Sequence, residues 1–70
     1  MRFSYDAEAD AAMIYLDPVG GLRSTARSDL ADIELDGSSF VLDFDADNRL
    51  ISIEILGASK VLPFSMLRDS

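Results

Sequence analysis

Four acidic residues between positions 43 and 54 have the spacing of a calcium-binding loop. Asp43, Asp45 and Asp47 occupy alternate positions, and Glu54 is the twelfth residue of the segment. These correspond to positions 1, 3, 5 and 12 of a helix–loop–helix calcium site, whose oxygen ligands suit a hard divalent cation. One hypothesis is therefore a calcium-binding module that uses this acidic loop.

The residues on either side of the acidic loop favour strands instead of helices. Apolar side chains recur at every second position, which is typical of a half-buried strand. They are Phe40, Leu42, Phe44, Ile51, Ile53 and Ile55. The favoured interpretation is a β-hairpin with a tight Asp/Asn turn, one buried face and one solvated acidic face. Asp43 and Glu54 would then lie along the ladder, too far from the tip to close on one ion, and no metal site is predicted.

Acid–base catalysis by paired carboxylates is a further alternative. Its candidates are Asp6, Asp10, Asp43 and Asp45. The chain has no histidine and no cysteine, so Ser–His, Cys–His and thiolate nucleophiles are absent and a tetrahedral zinc site is disfavoured. A core of this size rarely encloses a pocket of a few hundred Å³. We predict that the protein is not an enzyme and has no cofactor.

A second acidic triplet, formed by Asp6, Glu8 and Asp10, lies near the N-terminus. Aspartate carboxylates at a turn accept backbone N–H groups two or three residues further on. The triplet is therefore interpreted as a locally capped turn, with a weak ion site as the alternative.

The charge balance limits the kinds of partner. The chain has 70 residues, with 13 acidic and 6 basic side chains and a net charge of −7. Nucleic acids and anionic membranes need Lys and Arg for binding, so both are disfavoured. A basic protein partner is electrostatically compatible, although the charge also serves solubility alone. The absence of cysteine, of an apolar leader and of a membrane-spanning stretch predicts a cytoplasmic protein.

Hydrophobic periodicity and turn residues predict one domain over residues 1–70. It is mainly β (small α+β), an antiparallel meander of four or five strands with a short C-terminal helix that begins at Pro63. Strands are predicted at 2–5, 11–16, 22–28 and across the hairpin, with turns at 6–10, 17–21 and 36–37. Residues 29–35 are interpreted as a loop leading into a short strand.

The predicted core consists of apolar residues on the inward positions of these strands. It contains Phe3, Ile14, Leu16, Leu42, Phe44, Ile51, Ile53 and Ile55. Such a small open sheet leaves edges and one face poorly covered. We therefore predict a homodimer that buries apolar surface between the two copies.

Two segments of the chain resemble a small, mostly bacterial domain-of-unknown-function family, number 2283. The first is 5–11 with Ile14 and Leu16, and the second is 41–50 with 53–56, Ala58 and Ser59. Residues 22–39 carry none of the pattern. Three positions depart from it, with Ala7 in place of proline and both Asn48 and Ser52 in place of glycine.

The resemblance implies a fold type and no established activity. Some members are thought to be encoded beside small toxin-like proteins, which implies a role as the antitoxin or partner of a basic protein. Together with the composition, this favours a small acidic protein-interaction module that self-associates. The calcium-binding module and the carboxylate-based enzyme remain the alternatives.

Overall fold

A computed structural model describes residues 1–16, 24–33 and 35–68 of the chain. The predicted turn at 17–21 and the start of the predicted strand at 22–28 lie outside the described residues. The elements are β1 (Arg2–Asp6), β2 (Ala11–Tyr15), β3 (Arg27–Leu30), β4 (Ser39–Phe44), β5 (Leu50–Leu56), a 3₁₀ turn (Ala58–Lys60) and α1 (Phe64–Leu67). No helix in these ranges is long and apolar enough to cross a membrane.

The five strands form one antiparallel sheet in the order β1-β2-β5-β4-β3. This confirms a mainly β fold with five antiparallel strands and a short C-terminal helix. Strands β3, β4 and β5 form a meander, and the β1–β2 hairpin pairs with the other edge of β5. The isoleucine-rich β5 is therefore the central strand, which suits β-branched residues that pack on both neighbours.

The third strand differs from its prediction. The sequence predicts a strand over residues 22–28, whereas residues 24–26 are not in a strand and β3 runs from Arg27 to Leu30. Its position is set by pairing with β4, where Arg27 is opposite Phe44 and Leu30 is opposite Val41. The short strand expected at the end of 29–35 is not found at the described positions 31–33 and 35, because regular pairing resumes only at Ser39.

Strand alternation gives the sheet two different faces. On the covered face, Val61, Leu62 and Leu67 from the C-terminal segment pack against the buried cluster around Ala12 and Ile55. Among the described residues, no element packs over the opposite face, which we call the open face. The side chains assigned to it by the cross-strand register include Arg2, Ser4, Ala11, Met13, Tyr15, Ser28, Val41, Asp43, Ser52, Glu54 and Leu56.

The core is smaller than predicted. Ile51 and Ile55 are buried as expected, whereas the other six predicted core residues are only partly buried. Two alanines outside the predicted set, Ala12 and Ala58, are also buried. Their small side chains allow the 3₁₀ turn to approach the sheet closely. The four buried apolar residues found in the described ranges thus include two with almost no side chain.

The β4–β5 hairpin has the predicted pairing. Phe40 lies opposite Ile55 and Leu42 lies opposite Ile53 on the covered face. A register shift between Asp43 and Phe44 then leads into the turn.

The tight Asp/Asn turn of the hairpin and the helix start at Pro63 are also confirmed. Asn48 has φ 63°, the left-handed conformation that asparagine tolerates better than most residues. Pro63 directly precedes α1, as predicted from its fixed φ.

Candidate functional site

A row of polar side chains crosses the open face. Cross-strand pairing aligns Arg2, Tyr15, Ser52, Asp43 and Ser28 on the strands β1, β2, β5, β4 and β3, respectively. Directly opposite residues in a sheet point to the same side and lie close together. The register thus brings together residues from the two ends and the middle of the chain.

Asp43 lies in this row between Ser52 and Ser28 and is 1% exposed. Its carboxylate accepts hydrogen bonds from Ser28 Oγ at 2.6 Å and Ser52 Oγ at 2.7 Å. The carboxyl group of Glu54, two residues beyond Ser52 on the same face, is hydrogen-bonded to it as well. A buried carboxylate is tolerated only when its oxygens are satisfied in this way.

The pKa values of Asp43 and Glu54 shift in opposite directions. Burial raises the pKa of Asp43, but the hydrogen bonds from Ser28, Ser52 and Glu54 outweigh it, so the pKa is lowered. The pKa of Glu54 is raised by its hydrogen bond to Asp43, by burial and by the negative charge of Asp43. The two groups titrate as a pair, in which a proton binds more tightly to Glu54 than to Asp43.

A shallow concavity of about 280 Å³ adjoins the carboxyl group of Glu54 on the open face. It lies between β1, β2 and β5, and its walls are mostly apolar. The lining residues are Ser4, Tyr5, Asp6, Ala11, Ala12, Met13, Glu54 and Leu56. Of the carboxylate pair, Glu54 lines this concavity, whereas Asp43 is buried.

The structure separates the four candidate calcium ligands into two sets. Asp43 and Glu54 pair on the open face, whereas Asp45 folds into the hairpin turn. There, its Oδ1 accepts the backbone N–H groups of Asp47 at 2.9 Å and Arg49 at 3.0 Å. Within the described ranges, no three acidic side chains are grouped so that they could hold a metal ion.

The prediction of a solvated acidic face is wrong for two of these residues. Asp43 is 1% exposed and Asp45 is 7% exposed. Serine hydroxyls satisfy the first carboxylate and backbone N–H groups satisfy the second, so neither needs water. The sequence alone contains one signal for this arrangement, namely Ser52 among the alternating isoleucines, on the same strand face as Glu54.

Asp6 caps the β1–β2 turn as predicted. Its Oδ1 accepts the backbone N–H groups of Glu8 at 3.1 Å and Ala9 at 3.4 Å. Asp6 ends β1 and lines the same concavity as Glu54, whereas Asp10 is bonded to Ser59 and Asp45 lies in the hairpin turn. The structure therefore does not assemble the four proposed catalytic carboxylates at one site.

Asp10 has a longer-range role that sequence reasoning missed. Its carboxylate accepts the Tyr5 hydroxyl at 2.7 Å, the Ser59 backbone N–H at 2.9 Å and the Ser59 hydroxyl at 2.7 Å. The Ser59 and Tyr5 hydrogen bonds lower the pKa of Asp10. We call these three residues the Asp10 clasp, because they fasten the β1–β2 turn to the 3₁₀ turn. Ser59 is 49 residues away in sequence, so local spacing could not reveal the contact.

Together, these features define a small antiparallel β domain with a clasp at one end and a carboxylate pair on an open face. The chain belongs to the family described as a protein of unknown function (DUF2283), whose model matches residues 2–59. This confirms the family resemblance, and the match contains every residue of both the clasp and the polar row. No curated protein and no solved structure matches the chain.

Proposed function

We propose that the protein is a non-catalytic, cytoplasmic protein-interaction module that self-associates through the open face of its sheet. The observation that carries the proposal is the apolar surface left on that face. Met13, Tyr15 and Val41 are half-buried there, and Leu56 is 44% exposed. Apolar side chains grouped on one side of a sheet are typical of a surface that packs against another layer.

The small core supports the need for a second layer. A chain of this length buries only about 60% of the surface that its unfolded state exposes. Four apolar residues in the described ranges are buried, and two of them are alanines. Domains of this size are commonly stabilised by disulfides, metals or association. This chain has no cysteine, so it cannot form disulfides.

A second copy of the chain is the partner that fits the open face best. The molecule is flat, with extents of 33 × 27 × 17 Å. The area of its broad side is similar to the ~800 Å² of surface that each partner buries in a standard protein–protein interface. Two open faces would pack as a β-sandwich, with their sheets about 10 Å apart and their apolar residues between them.

Sedimentation velocity of the wild type and two matched variants tests this proposal. We expect the wild type to be a dimer at high micromolar concentration. Leu56→Glu places a charge on the open face at a residue that is 44% exposed, so it should shift the equilibrium to monomer without damaging the core. Phe64→Glu introduces the same side chain on α1, at a residue that is 75% exposed, and should leave the dimer intact.

A wild-type monomer at high micromolar concentration would refute self-association. Equal loss of the dimer in Leu56→Glu and Phe64→Glu would place the interface elsewhere. Adding a basic polypeptide provides a further comparison. A one-to-one complex that replaces the dimer would identify a basic protein as the true occupant of the face.

A further inference from the structure

We infer that β1, at one edge of the sheet, pairs with β1 of a second copy, so that the two five-stranded sheets join into one. This contact goes beyond the proposed packing of open faces and does not depend on it. It follows from the free edge of β1 and from the positions of Arg2 and Asp6 along that strand.

The direction of each backbone group in β1 follows from the hydrogen bonds of β2. The Leu16 N–H donates to the Ile51 carbonyl at 2.8 Å, so the backbone of Leu16 points towards the β5 side. Successive residues of a strand point their N–H and C=O groups to opposite sides. With the observed register, the residues of β1 whose backbone bonds to β2 are therefore Arg2, Ser4 and Asp6.

The backbone groups of Phe3 and Tyr5 consequently point away from the sheet. In the described part of the chain, β1 pairs with β2 alone. An edge strand with unpaired N–H and C=O groups is a template for a strand of another chain. The hydrogen bonds that this edge lacks are those that an antiparallel partner strand would supply.

The side chains of β1 suit an identical partner strand. Arg2 and Asp6 are equally far from Ser4 in sequence, and all three are exposed on the open face. A two-fold axis that passes beside Ser4, perpendicular to the sheet, pairs the strands antiparallel and places Arg2 of each copy opposite Asp6 of the other. It also places Phe3 opposite Tyr5, where the outward backbone groups bond to each other and the rings form cross-strand pairs.

Both charged groups are available for this contact. The Arg2 guanidinium lies 4.4 Å from the centre of the Tyr15 ring and forms no ion pair with a described residue. Asp6 uses Oδ1 to accept the N–H groups of Glu8 and Ala9, which leaves Oδ2 for a guanidinium donor. Opposed residues that do not bond through their backbones, as Arg2 and Asp6 would be, have the closest side chains in an antiparallel pair.

Other registers of the two strands are less favourable. Outward-pointing residues must face each other, so the register changes only by two residues at a time. Placing Phe3 opposite itself leaves Asp6 beyond the end of the other chain, and placing Tyr5 opposite itself puts Asp6 opposite Ser4. The axis beside Ser4 pairs the complete strand Arg2–Asp6 and joins opposite charges at both ends.

The other edge of the sheet is less suited to such a contact. Strand β3 has four residues, and its Arg27 already forms an ion pair with Asp29 of the same chain at 3.0 Å. The contact through β1 is itself small, because each copy contributes one strand of five residues. We therefore expect it in the millimolar range, at higher concentration than packing through the open face.

Disulfide trapping tests the contact in a Leu56→Glu background, which removes the proposed open-face packing. The chain has no cysteine, so Ser4→Cys places a single cysteine beside the axis. Opposed Cα atoms at such a position are about 4.5 Å apart, which is within disulfide range. In a glutathione buffer, Ser4→Cys should form about tenfold more disulfide dimer than Ser65→Cys, an exposed position on α1. Equal yields would overturn the pairing of β1 strands.

Charge variants of the Ser4→Cys chain test the register. Arg2→Glu should lower the dimer yield about tenfold, because the introduced carboxylate faces Asp6 of the other copy at both contacts. Asp6→Lys should do the same, because the ammonium group faces Arg2. A mixture of the two chains should recover a mixed dimer, since each contact then joins opposite charges. Arg49→Glu makes the same charge change on the exposed hairpin turn and should leave the yield unchanged.

Asp6→Asn distinguishes loss of the ion pair from loss of the turn cap. The amide oxygen can still accept the N–H groups of the turn, whereas the charge opposite Arg2 is removed, so the yield should fall a few-fold. Circular dichroism of each variant shows whether it is folded. A folded Asp6→Asn chain with an unchanged yield, or a mixture of the charge variants without recovery, would overturn the Arg2–Asp6 contact.

The outcomes separate this contact from packing through the open face. Preferential trapping of Ser4→Cys would support β1 pairing even if the wild type does not dimerise through its open face. Equal trapping of Ser4→Cys and Ser65→Cys would overturn β1 pairing even if sedimentation shows the open-face dimer.

Discussion

At the level of single residues, the described part of the chain contains one unusual electrostatic feature, the Asp43–Glu54 pair. The pKa values of its carboxyl groups shift apart because Ser28 and Ser52 stabilise the charge on Asp43 while Asp43 raises the pKa of Glu54. Pairs with opposite shifts often mark functional sites. In this protein, the hydrogen bonds of the pair satisfy a carboxylate that is buried within the sheet.

The stability of the monomer should therefore depend on pH with opposite signs for the two groups. The raised pKa of Glu54 gives stability that is complete below its unfolded pKa and lost as pH rises through the folded value. The lowered pKa of Asp43 gives stability that is present above its unfolded pKa and lost as pH falls through the folded value. The monomer should be most stable in the mildly acidic range between the two folded pKa values.

Glu54→Gln should stabilise the monomer at neutral pH. The amide still donates a hydrogen bond to Asp43 but cannot ionise beside it, so the gain at about pH 7.5 is on the order of 1 kcal/mol or less after solvent screening. Urea unfolding at about pH 5 and about pH 7.5, on samples dilute enough to be monomeric, measures the difference. Glu8→Gln, in the exposed turn, is the control. Equal stability of Glu54→Gln and wild type at both pH values would contradict the raised pKa of Glu54.

At the level of elements, the sheet and the C-terminal segment are joined by a few polar contacts. The Asp10 clasp fastens the β1–β2 turn to the 3₁₀ turn, and the Ala58 backbone N–H also bonds to the Asp10 carbonyl at 3.0 Å. On the neighbouring side, the Ser38 hydroxyl bonds to the Gly57 carbonyl at 2.9 Å. These contacts allow a four-residue helix to remain on the covered face.

Two glycines at this junction should respond differently to substitution. Gly57 has φ 66° and Gly37 has φ 82°, so alanine is strained at both positions. A Cβ on Gly57 would collide with the Gly37 carbonyl, which is backbone, whereas a Cβ on Gly37 would meet the flexible end of Lys60. We expect Gly57→Ala to lower the free energy of unfolding by roughly 3 kcal/mol and Gly37→Ala by about 1 kcal/mol.

Chemical denaturation of both glycine variants gives the comparison directly. The order of the two losses is the decisive quantity, since both variants share the cost of a left-handed alanine. A smaller loss of unfolding free energy for Gly57→Ala than for Gly37→Ala would contradict the close contact between the start of the 3₁₀ turn and the residues that precede β4.

At the level of the entire domain, a short segment covers one side of the sheet, and Leu56 is 44% exposed on the other side. Folding and association should therefore be linked, because a partner that binds only the folded state stabilises it by mass action. The net charge of −7 opposes the approach of two copies, so the proposed self-association would depend on burial of apolar surface.

The melting temperature should consequently rise with protein concentration. Each tenfold dilution of the wild type within the association range should lower it by a few degrees. Leu56→Glu should melt at the same temperature at every concentration, because it removes association without touching the buried residues. Calorimetry over a hundredfold concentration range tests this, and a wild-type melting temperature independent of concentration would exclude the linkage.

Most local elements of this protein could be predicted from its amino acids alone, and β3, whose position depends on pairing with β4, is the exception. Apolar residues recur at every second position, as Phe40 and Leu42 in one strand and as Ile53 and Ile55 in the next. This pattern predicts the central hairpin, because a period of two places the apolar side chains on one face of each strand. Asn48 and Pro63 identify a turn and a helix start through their backbone preferences. Two signature segments also predict the family, which the match over residues 2–59 confirms.

The neighbours of each strand, and the polar groups that meet, depend on the folded sheet. The pairing of β2 with β5 joins parts of the chain about 40 residues apart, and local periodicity contains no information on such a contact. Pairing across the sheet also makes Asp43 a buried acceptor of Ser28 and Ser52, and docking of the 3₁₀ turn makes Ser59 the partner of Asp10. Alternation along a strand assigns each side chain to a face, but the order of the strands decides what that side chain touches, and the candidate site depends on that order.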